Sequence, residues 1–383
     1  MTESRKTEAL AAATRLAEWS AKRKYKGFDP YDGLNSLFAP LLTLGTQWGR
    51  IFLIQFMRRS PINLRRVLCV KPGENPKGLG LFLEGYARLY RANPTPELKI
   101  EADYLVERLA ELRSPGISGS GWGYDFPWQN RWQCLPRYTP TIVNSAFIGH
   151  ALLDWYEASG NEKARDLARS IPEFMRRDLN RMEEDGVFCF SYTPLDRNFV
   201  HNASMIGASL IARVGLLTGD DAAVNAAKNS LAYSMKYQRA DGSWPYAETE
   251  YQSWIDSFHT GFNLEALRWF IKLGVAEPEY IQAYKRGVKF YADNFFLPDG
   301  TPKYYHDREY LVDIHAPAEA VSFFAEEEGY EELAARELEY LLTHMRDPKN
   351  GLFYFRRKGK KIIAIPYMRW SQAWAFRALC RAL

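Results

Sequence analysis

Residues 144–160, NSAFIGHALLDWYEASG, and residues 202–219, NASMIGASLIARVGLLTG, decide the fold of this chain. Each begins with Asn, carries Gly five positions later and is apolar on most of its surface. Asn favours the start of a helix, because its side-chain oxygen accepts a hydrogen bond from a free N–H group. A helix that is apolar all round is buried, and small residues let neighbouring helices approach closely. Both stretches therefore predict closely packed inner helices.

The same pattern recurs along the chain. Successive copies are separated by 69, 58, 54, 57 and 56 residues, and they begin at Asn75, Asn144, Asn202, Asp256, Asp313 and, in a degenerate form, Arg369. More polar segments lie between them, with apolar residues at three- and four-residue steps, which predicts amphipathic outer helices. We expect these outer helices at 4–23, 97–114, 161–179, 221–238, 277–296 and 331–347.

Six inner and six outer helices predict an all-α fold, an (α/α)6 toroid. A single domain would span residues 1–383, with an outer helix and loop region over 1–74 and the repeats over 75–383. An open helical solenoid is the alternative, but six copies and a C-terminal segment that resembles an inner helix favour closure. Four loops contain Asp-Gly or Asn-Gly followed by alternating aromatic residues, which predicts short β-hairpins at one end. These loops are 184–192, 240–248, 298–306 and 349–357.

Composition narrows the class of protein. The 383 residues are 46% hydrophobic and 25% charged, which is typical of a globular chain. A net charge of +4 with both signs interspersed argues against a nucleic-acid partner. No apolar run reaches the ~18 residues of a spanning helix, and the first residues do not resemble a secretory signal. The four cysteines form no CxxC pair, so we expect reduced thiols and a cytoplasmic protein.

The expected site is a funnel at the end of the toroid where all inner helices begin. Free N–H groups and positive helix dipoles face that end, and the long aromatic loops lie there too. The predicted catalytic residues are Asp256, His259, Asp313, His315 and Tyr367. The predicted substrate-binding residues are Trp122, Tyr124, Trp128, Tyr138, His201, Trp244, Tyr246, Trp254, Tyr305, Arg369 and Trp370. Aromatic residues are 15% of the chain, which is common in proteins that stack on sugars.

Each of these residues has a structural alternative. Asp256 and Asp313 would serve as helix N-caps, the histidines as packed and hydrogen-bonded core residues, and the aromatic side chains as cores of their own loops. A metal site could be assembled from Asp256 with His259 and Asp313 with His315, but no third ligand has a telling spacing. We therefore predict neither a metal nor another cofactor.

Residues 46–59 join an apolar stretch to two arginines at positions 58 and 59. A segment of this kind can lie on a membrane surface. It can also pack as a buried helix, and burial is the favoured interpretation.

The chain contains a series of long motifs, namely FDPYDGLNS (28–36), RSPINLR (59–65), NPKGLGLFL (75–83), WGYDFPWQ (122–129), YTPTIVNSAF (138–147), FSYTPLD (190–196), WIDSFHTGFNLE (254–265), DIHAPAE (313–319) and PYMRWSQAW (366–374). These motifs resemble a family of bacterial and archaeal proteins found in surface-polysaccharide gene clusters. The resemblance runs from about residue 25 to the C terminus. Members are often labelled delta-aminolevulinic acid dehydratases, but that enzyme is a β/α barrel and this chain has no alternating strand–helix pattern.

The family is similar in fold to six-hairpin glycosidases, polysaccharide lyases, the toroidal domain of glucuronyl C5-epimerases and terpenoid cyclases. This resemblance implies an enzyme of surface-polysaccharide synthesis that acts on an acidic polysaccharide or a lipid-linked oligosaccharide. A uronate epimerase or lyase would use His or Tyr as its base and Arg369 to hold the carboxylate. A glycoside hydrolase would use Asp256 and Asp313 as its carboxylate pair.

Two other functions stay open. A non-enzymatic glycan-binding or assembly module would use the same aromatic side chains without any reaction. An isoprenoid-binding toroid related to terpenoid cyclases would need an apolar funnel, and the chain has neither DxDD nor DDxxD.

Overall fold

The computed structural model describes residues 3–131 and 133–383. The helices in those residues are α1 Glu3–Ala21, α2 Ala39–Thr43, α3 Gln47–Arg59, α4 Pro76–Ala92, α5 Pro96–Glu111, α6 Ile142–Ser159, α7 Glu162–Arg177, α8 His201–Thr218, α9 Asp221–Met235, α10 Ser257–Lys272, α11 Pro278–Asn294, α12 His315–Phe324, α13 Glu331–His344 and α14 Trp374–Arg381. The strands are β1 Trp128–Gln129, β2 Cys134–Leu135, β3 Arg181–Glu184, β4 Val187–Phe190, β5 Val312–Asp313, β6 Arg356–Lys358 and β7 Lys361–Ile363. A π-helical segment, Met368–Ala373, precedes α14.

The fold class is the predicted one, an all-α toroid fold with short antiparallel hairpins. The apolar segments form α4, α6, α8, α10, α12 and α14, and the amphipathic segments form α1, α5, α7, α9, α11 and α13. The inner helices are buried almost throughout, as their composition requires. In α6, for example, every residue from Ile142 to Trp155 is buried.

The chain divides into two compact units. Unit 1 contains the described residues of 1–113, 122–139 and 311–383, and unit 2 contains 114–121 and 140–310. Unit 1 therefore holds α1–α5 and α12–α14, and unit 2 holds α6–α11. The single domain expected from the sequence stays a prediction.

In unit 1 the last helix packs against the first helices of the chain. α14 contacts α1, α4 and α12. The Phe376 ring lies 5.2 Å from the rings of both Phe82 and Tyr86. Gly85 permits this approach, because a Cβ at that position would overlap the Phe376 ring. The first and last repeats therefore pack together within unit 1.

In unit 2 the inner helices α6, α8 and α10 pack in sequence. The small residue of each repeat lies where two helices come closest. A Cβ at Gly149 would overlap Leu210, and a Cβ at Gly207 would overlap Ile142. The predicted role of these glycines in close helix packing is confirmed.

Three of the predicted N-caps are wrong. Asp313 lies in β5 and precedes Ile314, which is the N-cap residue of α12. Asn144 lies inside α6, where Thr141 is the cap and its Oγ1 accepts from the Asn144 N–H at 3.0 Å. Asn202 lies inside α8, which follows Val200 and has no side-chain cap. Helices α6 and α8 begin earlier because the preceding residues are also buried and can extend the helix. Asn75 and Asp256 do cap α4 and α10.

Only one of the four predicted hairpins forms a ladder of several residue pairs at its predicted turn. β3 and β4 pair across Asp185-Gly186, with Glu184 opposite Val187. In 240–248 the backbone bonds to other segments instead, since Tyr246 N donates to Trp254 O at 2.9 Å. In 298–306 the pairing across Asp299-Gly300 is limited to one antiparallel bridge, between Phe296 and Pro302, and Tyr305 forms a second bridge with Asp256.

The fourth predicted hairpin, at 349–357, has one antiparallel bridge across its predicted turn, between Arg346 and Phe353, and its longer pairing lies further along the chain. Its last residues belong to β6, which pairs with β5 and β7, and the β6–β7 turn lies at Gly359-Lys360 rather than Asn350-Gly351. Strand β5 immediately precedes α12. The register of β6 is therefore set by its pairing with the residues that lead into that helix.

All four cysteines are free thiols in the structure. Cys189 and Cys380 are buried, and burial raises the pKa of the Cys189 thiol to about 12. Burial likewise raises the pKa of Cys380. These two thiols are therefore poor nucleophiles at neutral pH.

The segment 46–59 packs as a helix, as the favoured interpretation expects, but only one side of that helix is buried. In α3, Leu53, Ile54 and Met57 are buried, whereas Trp48 and Phe52 are exposed. Among the described residues, none of the helices combines the length and apolar content that crossing a membrane requires.

Candidate functional site

Asp256 and His259 form a hydrogen-bonded pair at the start of α10 in unit 2. Asp256 Oδ1 accepts from the backbone N–H of His259 at 3.0 Å, which makes Asp256 the N-cap. Asp256 Oδ2 lies 2.6 Å from His259 Nδ1 and also accepts from Trp254 Nε1 at 3.0 Å. One buried carboxylate therefore caps the helix and binds the imidazole at the same time.

This pair sets the protonation pattern of the His259 ring. Because a carboxylate oxygen accepts hydrogen bonds, the contact with Asp256 Oδ2 assigns the donor role to Nδ1 and leaves Nε2 as the ring nitrogen that faces a ligand. Nε2 has no hydrogen-bond partner among the described residues, and the side chain is 25% exposed while Asp256 is buried. A carboxylate that orients a partly exposed imidazole is the arrangement of a general base.

Aromatic side chains surround the pair. Tyr246 stacks on Trp254 with ring centroids 4.6 Å apart and planes 14° apart, and its ring lies 4.8 Å from that of His259. Tyr305 pairs by its backbone with Asp256, and the Arg308 guanidinium lies 4.4 Å from the Tyr305 ring. Burial and the charge of Asp256 raise the pKa of Tyr305, so its hydroxyl keeps its proton. Four predicted residues of unit 2, Tyr246, Trp254, Asp256 and His259, thus lie together, and Tyr305 adjoins them.

His201 and Trp244, also predicted to bind substrate, are buried in unit 2. The His201 ring lies 3.2 Å from Ser234 Oγ through Nδ1 and packs on Tyr237, and burial lowers the pKa of His201 to about 4. Trp244 Nε1 donates to the Ser234 carbonyl oxygen at 3.1 Å. Both side chains fill the interior beside α9, and their assignment to substrate stays a prediction.

Asp313 in unit 1 is held in a similar way, but by different partners. Its Oδ1 accepts from Trp370 Nε1 at 2.9 Å and from the His315 backbone N–H at 3.2 Å. Its Oδ2 accepts a hydrogen bond from Arg356 Nε at 2.6 Å. The corresponding oxygen of Asp256 contacts the His259 imidazole instead. The His315 ring stacks flat on Trp370, with centroids 4.2 Å apart. Asp313, His315 and Trp370 thus form one cluster.

Arg369 binds a protein carboxylate. Its Nε and Nη2 donate to the two oxygens of Asp29 at 2.6 and 2.8 Å, and its guanidinium lies 5.0 Å from the rings of Tyr124 and Trp370. Burial acts against the charged form, but the charge of Asp29 outweighs it and raises the pKa of Arg369. The two guanidinium donors that face Asp29 are occupied by its carboxylate. Binding of a substrate carboxylate by Arg369 stays a prediction.

Tyr367 lies in the interior of unit 1. The Arg65 guanidinium lies 4.7 Å from its ring and donates through Nε to Asp32 Oδ1 at 2.6 Å. Burial raises the pKa of Tyr367, with Arg65 acting in the opposite direction. Burial also raises the pKa of Asp32 to about 7 against the pull of Arg65.

The remaining predicted residues of unit 1 differ in exposure. Trp122 is buried, and its indole donates to the Leu109 carbonyl oxygen at 2.8 Å. Tyr124 is half-buried beneath Arg369, Trp128 belongs to β1, and Tyr138 has a positive φ of 60°.

Sequence reasoning missed a set of buried charged residues in unit 1, namely Asp29, Asp32, Arg65, Lys77 and Asp125. Burial and the charge of Asp29 raise the pKa of Asp125 to about 6. Burial, and then the charges of Arg369 and Arg377, lower the pKa of Lys77 well below its usual value. The available signal was position, because all five lie in motifs that carry the family resemblance.

The sequence predicts that Asp256, His259, Asp313, His315, Tyr367 and Arg369 share one cavity. Two of these residues belong to unit 2 and four to unit 1. Their convergence stays a prediction.

Among the described residues, neither a cluster of metal-ligand side chains nor the cavity in unit 2 adds a second candidate site to the Asp256–His259 pair. Within residues 3–131 and 133–383, no group of three or more His, Cys, Asp or Glu side chains is placed to hold a metal ion. A cavity of about 410 Å³ in unit 2 is lined by α7, the end of α8 and the start of α9, and it contains no predicted site residue. Its arginines are partly neutralised, for example Arg176 by Asp220 at 2.8 Å.

Solved structures of toroid enzymes are similar to this chain. A sugar epimerase from a ruminal bacterium has a TM-score of 0.62 and 16% identity, covering 82% of this chain and 89% of that chain. A cellobiose 2-epimerase from Bacillus thermoamylovorans has a TM-score of 0.63 and 14% identity, with coverages of 82% and 89%. An unsaturated glucuronyl hydrolase specific for heparin has a TM-score of 0.65 and 13% identity, with coverages of 100% and 97%.

These similarities confirm the fold expected from the resemblance. At such low identities they concern the fold alone, because one fold carries many chemistries. No protein-family model matches the chain, and no curated protein matches it.

Proposed function

We propose that the protein is a carbohydrate-active acid/base enzyme of surface-polysaccharide synthesis that acts on an acidic poly- or oligosaccharide. The observation that carries this proposal is the 2.6 Å contact between Asp256 Oδ2 and His259 Nδ1 beside the stacked rings of Tyr246 and Trp254. A base and a stacking surface together suit a sugar ring. Similarity to solved structures of a sugar epimerase and a glucuronyl hydrolase supports the substrate class.

The proposed reaction begins with proton abstraction by His259. A sugar ring stacks on Trp254, and Nε2 of His259 takes the proton from the carbon next to the uronate carboxylate. The electron pair moves into that carboxylate, and Asp256 stabilises the imidazolium. Return of a proton to the opposite face completes an epimerisation. In a lyase reaction the C–O bond on the adjacent ring carbon breaks instead, a C=C bond forms, and the leaving oxygen takes up the proton held by the His259 imidazolium.

Arg308 is the cation that we assign to the substrate carboxylate. Its guanidinium lies over the ring of Tyr305, whose backbone pairs with Asp256. The Arg308 side chain is 58% exposed, and its one carboxylate contact, to the exposed Asp307, is long at 3.5 Å. Arg369, the cation expected from the sequence, already binds Asp29.

Proton abstraction is favoured over glycoside hydrolysis by the state of the two candidate carboxylates. Hydrolysis requires one carboxyl group to protonate the leaving oxygen and the other to attack or activate water. Both oxygens of Asp256 accept hydrogen bonds from protein groups, and so do both oxygens of Asp313. In their present contacts, neither Asp256 nor Asp313 is therefore available to protonate a leaving oxygen or to activate water.

A hydrocarbon ligand fits this site less well than a sugar. An isoprenoid needs apolar walls, whereas Asp256, His259, Tyr305 and Arg308 bring polar and charged groups next to the aromatic rings. A glycan-binding module without catalysis remains a defined outcome of the experiment below.

The test is solvent exchange. The protein is incubated in D₂O with a panel of uronate-containing oligosaccharides, and mass spectrometry measures deuterium at carbon while ultraviolet absorbance measures unsaturated product. We expect exchange or elimination with the wild-type protein. His259→Gln should lower the rate roughly 100-fold or more. Thermal unfolding checks that the variant is folded, because the His259 ring also packs on Tyr246, Phe258 and Phe262.

His344→Gln is the matched control, since His344 is exposed on α13. It should react like the wild type. Oligosaccharide binding without exchange or elimination would support the non-enzymatic module and refute the enzyme. Equal rates for wild type and His259→Gln would refute the role of His259.

A further inference from the structure

The segment from residue 37 to 67 in unit 1 exposes a concentration of apolar side chains. Ten of the eighteen large apolar side chains exposed among the described residues lie in it. Single exposed apolar residues are ordinary, but a group of this size marks an interaction surface. We call it the α2–α3 face, and it consists of Leu37, Phe38, Leu41, Leu42, Leu44, Trp48, Phe52, Phe56, Ile62 and Val67.

Packing of the protein does not account for these side chains. The inner side of α3 supplies Leu53 and Met57 to a buried cluster with Ala39 and Val70. On the outer side, Trp48, Phe52 and Phe56 recur at four-residue steps, and Trp48 and Phe52 are 73% and 69% exposed. The rings of Phe52 and Phe56 stack 6.0 Å apart. Helix α3 thus has one apolar side that packs against the rest of the protein and a second apolar side that is exposed.

The short helix α2 brings further apolar residues beside the start of α3. A Cβ at Gly49 would overlap the Thr43 carbonyl oxygen, so the two helices approach closely there. Leu41 and Leu44 are more than 70% exposed, and Leu44 has a left-handed φ of 48°. The backbone therefore turns leucines outward next to the outer side of α3.

The charge around this face has one sign. Residues 33–73 contain no Asp or Glu and six basic residues, although the whole chain has a net charge of only +4. Arg65 is buried and pairs with Asp32. The other five, Arg50, Arg58, Arg59, Arg66 and Lys71, form no ion pair within the part of the chain that the structure describes.

The neighbouring hairpin adds positive charge. β1 packs against α3, and Arg50 Nε donates to Gln129 Oε1 at 2.6 Å. Gln47 Nε2 donates to the carbonyl oxygen of Arg131. Arg131 and Arg137, both exposed, lie in or beside this hairpin, and 126–138 contains no Asp or Glu.

We propose that the α2–α3 face docks on an anionic lipid surface. Its Trp, Phe and Leu side chains would enter the boundary between headgroups and acyl chains, and the surrounding arginines would meet the anionic headgroups. A second copy of this chain fits less well, because it would bring two positively charged faces together. Docking by this face does not depend on the proposed reaction and involves none of the residues assigned to it.

The test is flotation with vesicles of phosphatidylcholine alone or of phosphatidylcholine with phosphatidylglycerol. We expect the full chain to float with the anionic vesicles, less so at high salt. The double variant Trp48→Ser/Phe52→Ser should lose flotation. Arg59→Gln/Arg66→Gln should bind about 30-fold more weakly, because each basic residue near an anionic surface contributes about a fivefold gain.

The matched control is Leu216→Ser/Leu217→Ser, which removes two apolar side chains of 44% and 47% exposure from the end of α8. It should float like the wild type, and circular dichroism checks that every variant is folded. Absence of wild-type flotation would overturn the proposal, and so would equal loss in the control. A wild-type dimer that Trp48→Ser/Phe52→Ser converts to a monomer, without flotation of either, would show that the face binds a second copy instead.

Discussion

At the scale of single residues, Asp256 illustrates how one side chain can serve both structure and chemistry. Its Oδ1 caps α10 and its Oδ2 binds His259 Nδ1. An N-cap needs only a neutral acceptor, which Asn75 demonstrates at the start of α4 by accepting from the Lys77 N–H at 3.2 Å. Orientation of an imidazole that becomes charged needs an ionised acceptor. The two tasks can therefore be separated by a conservative substitution.

Asp256→Asn should lower turnover roughly 100-fold or more, because the amide keeps the cap but not the charge beside Nδ1. Its Tm should fall only modestly, because the cap is kept while the amide nitrogen no longer accepts from Trp254 Nε1. Thermal unfolding and the solvent-exchange assay measure the two effects. Asp220→Asn is the control, since Asp220 caps α9 by accepting from the Ala223 N–H at 2.9 Å and lies outside the pair. Normal turnover of Asp256→Asn would show that Asp256 serves only as a helix cap.

His201 predicts a pH dependence of stability. Burial lowers the pKa of His201 to about 4 from an ordinary value of 6.5, so the unfolded chain binds the proton first as the pH falls. Its contribution to the free energy of unfolding, at most about 3 kcal/mol, is present above pH 6.5 and lost towards pH 4.

His201→Gln should therefore flatten the decline in unfolding free energy across this pH window, measured by urea denaturation. His344→Gln, which changes an exposed histidine, should leave the wild-type slope in place. Parallel slopes for wild type and His201→Gln would contradict a buried neutral ring.

At the scale of elements, the helices depend on glycines where two of them meet. Gly207 of α8 faces Ile142 of α6 without room for a Cβ. Gly207→Val should lower the free energy of unfolding by about 1–3 kcal/mol through overpacking. Ile142→Ala in the same chain should recover part of that loss, which a double-mutant cycle by urea unfolding measures.

Ala222→Val tests whether the helix simply resists a β-branched residue, because Ala222 is exposed on α9. We expect a much smaller loss there. If both valine variants unfold alike, or if Ile142→Ala adds its own cost without recovery, the close contact of α6 and α8 is not the cause.

At the scale of the whole molecule, the end of the chain is held to earlier repeats by a buried ion network in unit 1. Arg377 of α14 donates to Glu84 of α4 at 2.9 Å and to Glu319 of α12 at 3.0 Å. Burial acts to raise the pKa of Glu84, but Arg377 and Arg381 outweigh it and lower that pKa to about 2. One guanidinium thus joins three inner helices.

Arg377→Met should lower the free energy of unfolding by about 3–5 kcal/mol, because it leaves buried carboxylates without their partner. Arg377→Met with Glu319→Leu should be more stable than Arg377→Met alone, since one unpaired charge is removed. Arg165→Met, which breaks an exposed pair with Glu162, should change stability little. Equal losses for Arg377→Met and Arg165→Met in urea unfolding would refute the structural role of the network.

The sequence by itself determined the helices and the fold class. Apolar and amphipathic periods, short turns and repeating small residues are local, and the observed outer helices begin within one residue of the predicted positions for 161–179, 221–238 and 277–296. The Asp256–His259 pair was also within reach, because a three-residue spacing at a helix start places both side chains on one side.

Only the tertiary structure decided the partners of distant residues. Asp29 meets Arg369 across 340 positions of sequence, and the loop 240–248 and strand β6 bond to other segments of the chain. The outward face of α3 is a further case, since an apolar stretch does not state which of its sides the rest of the chain will cover. Periodicity is set between neighbours a few residues apart, whereas ion pairs and exposure depend on which helices pack together.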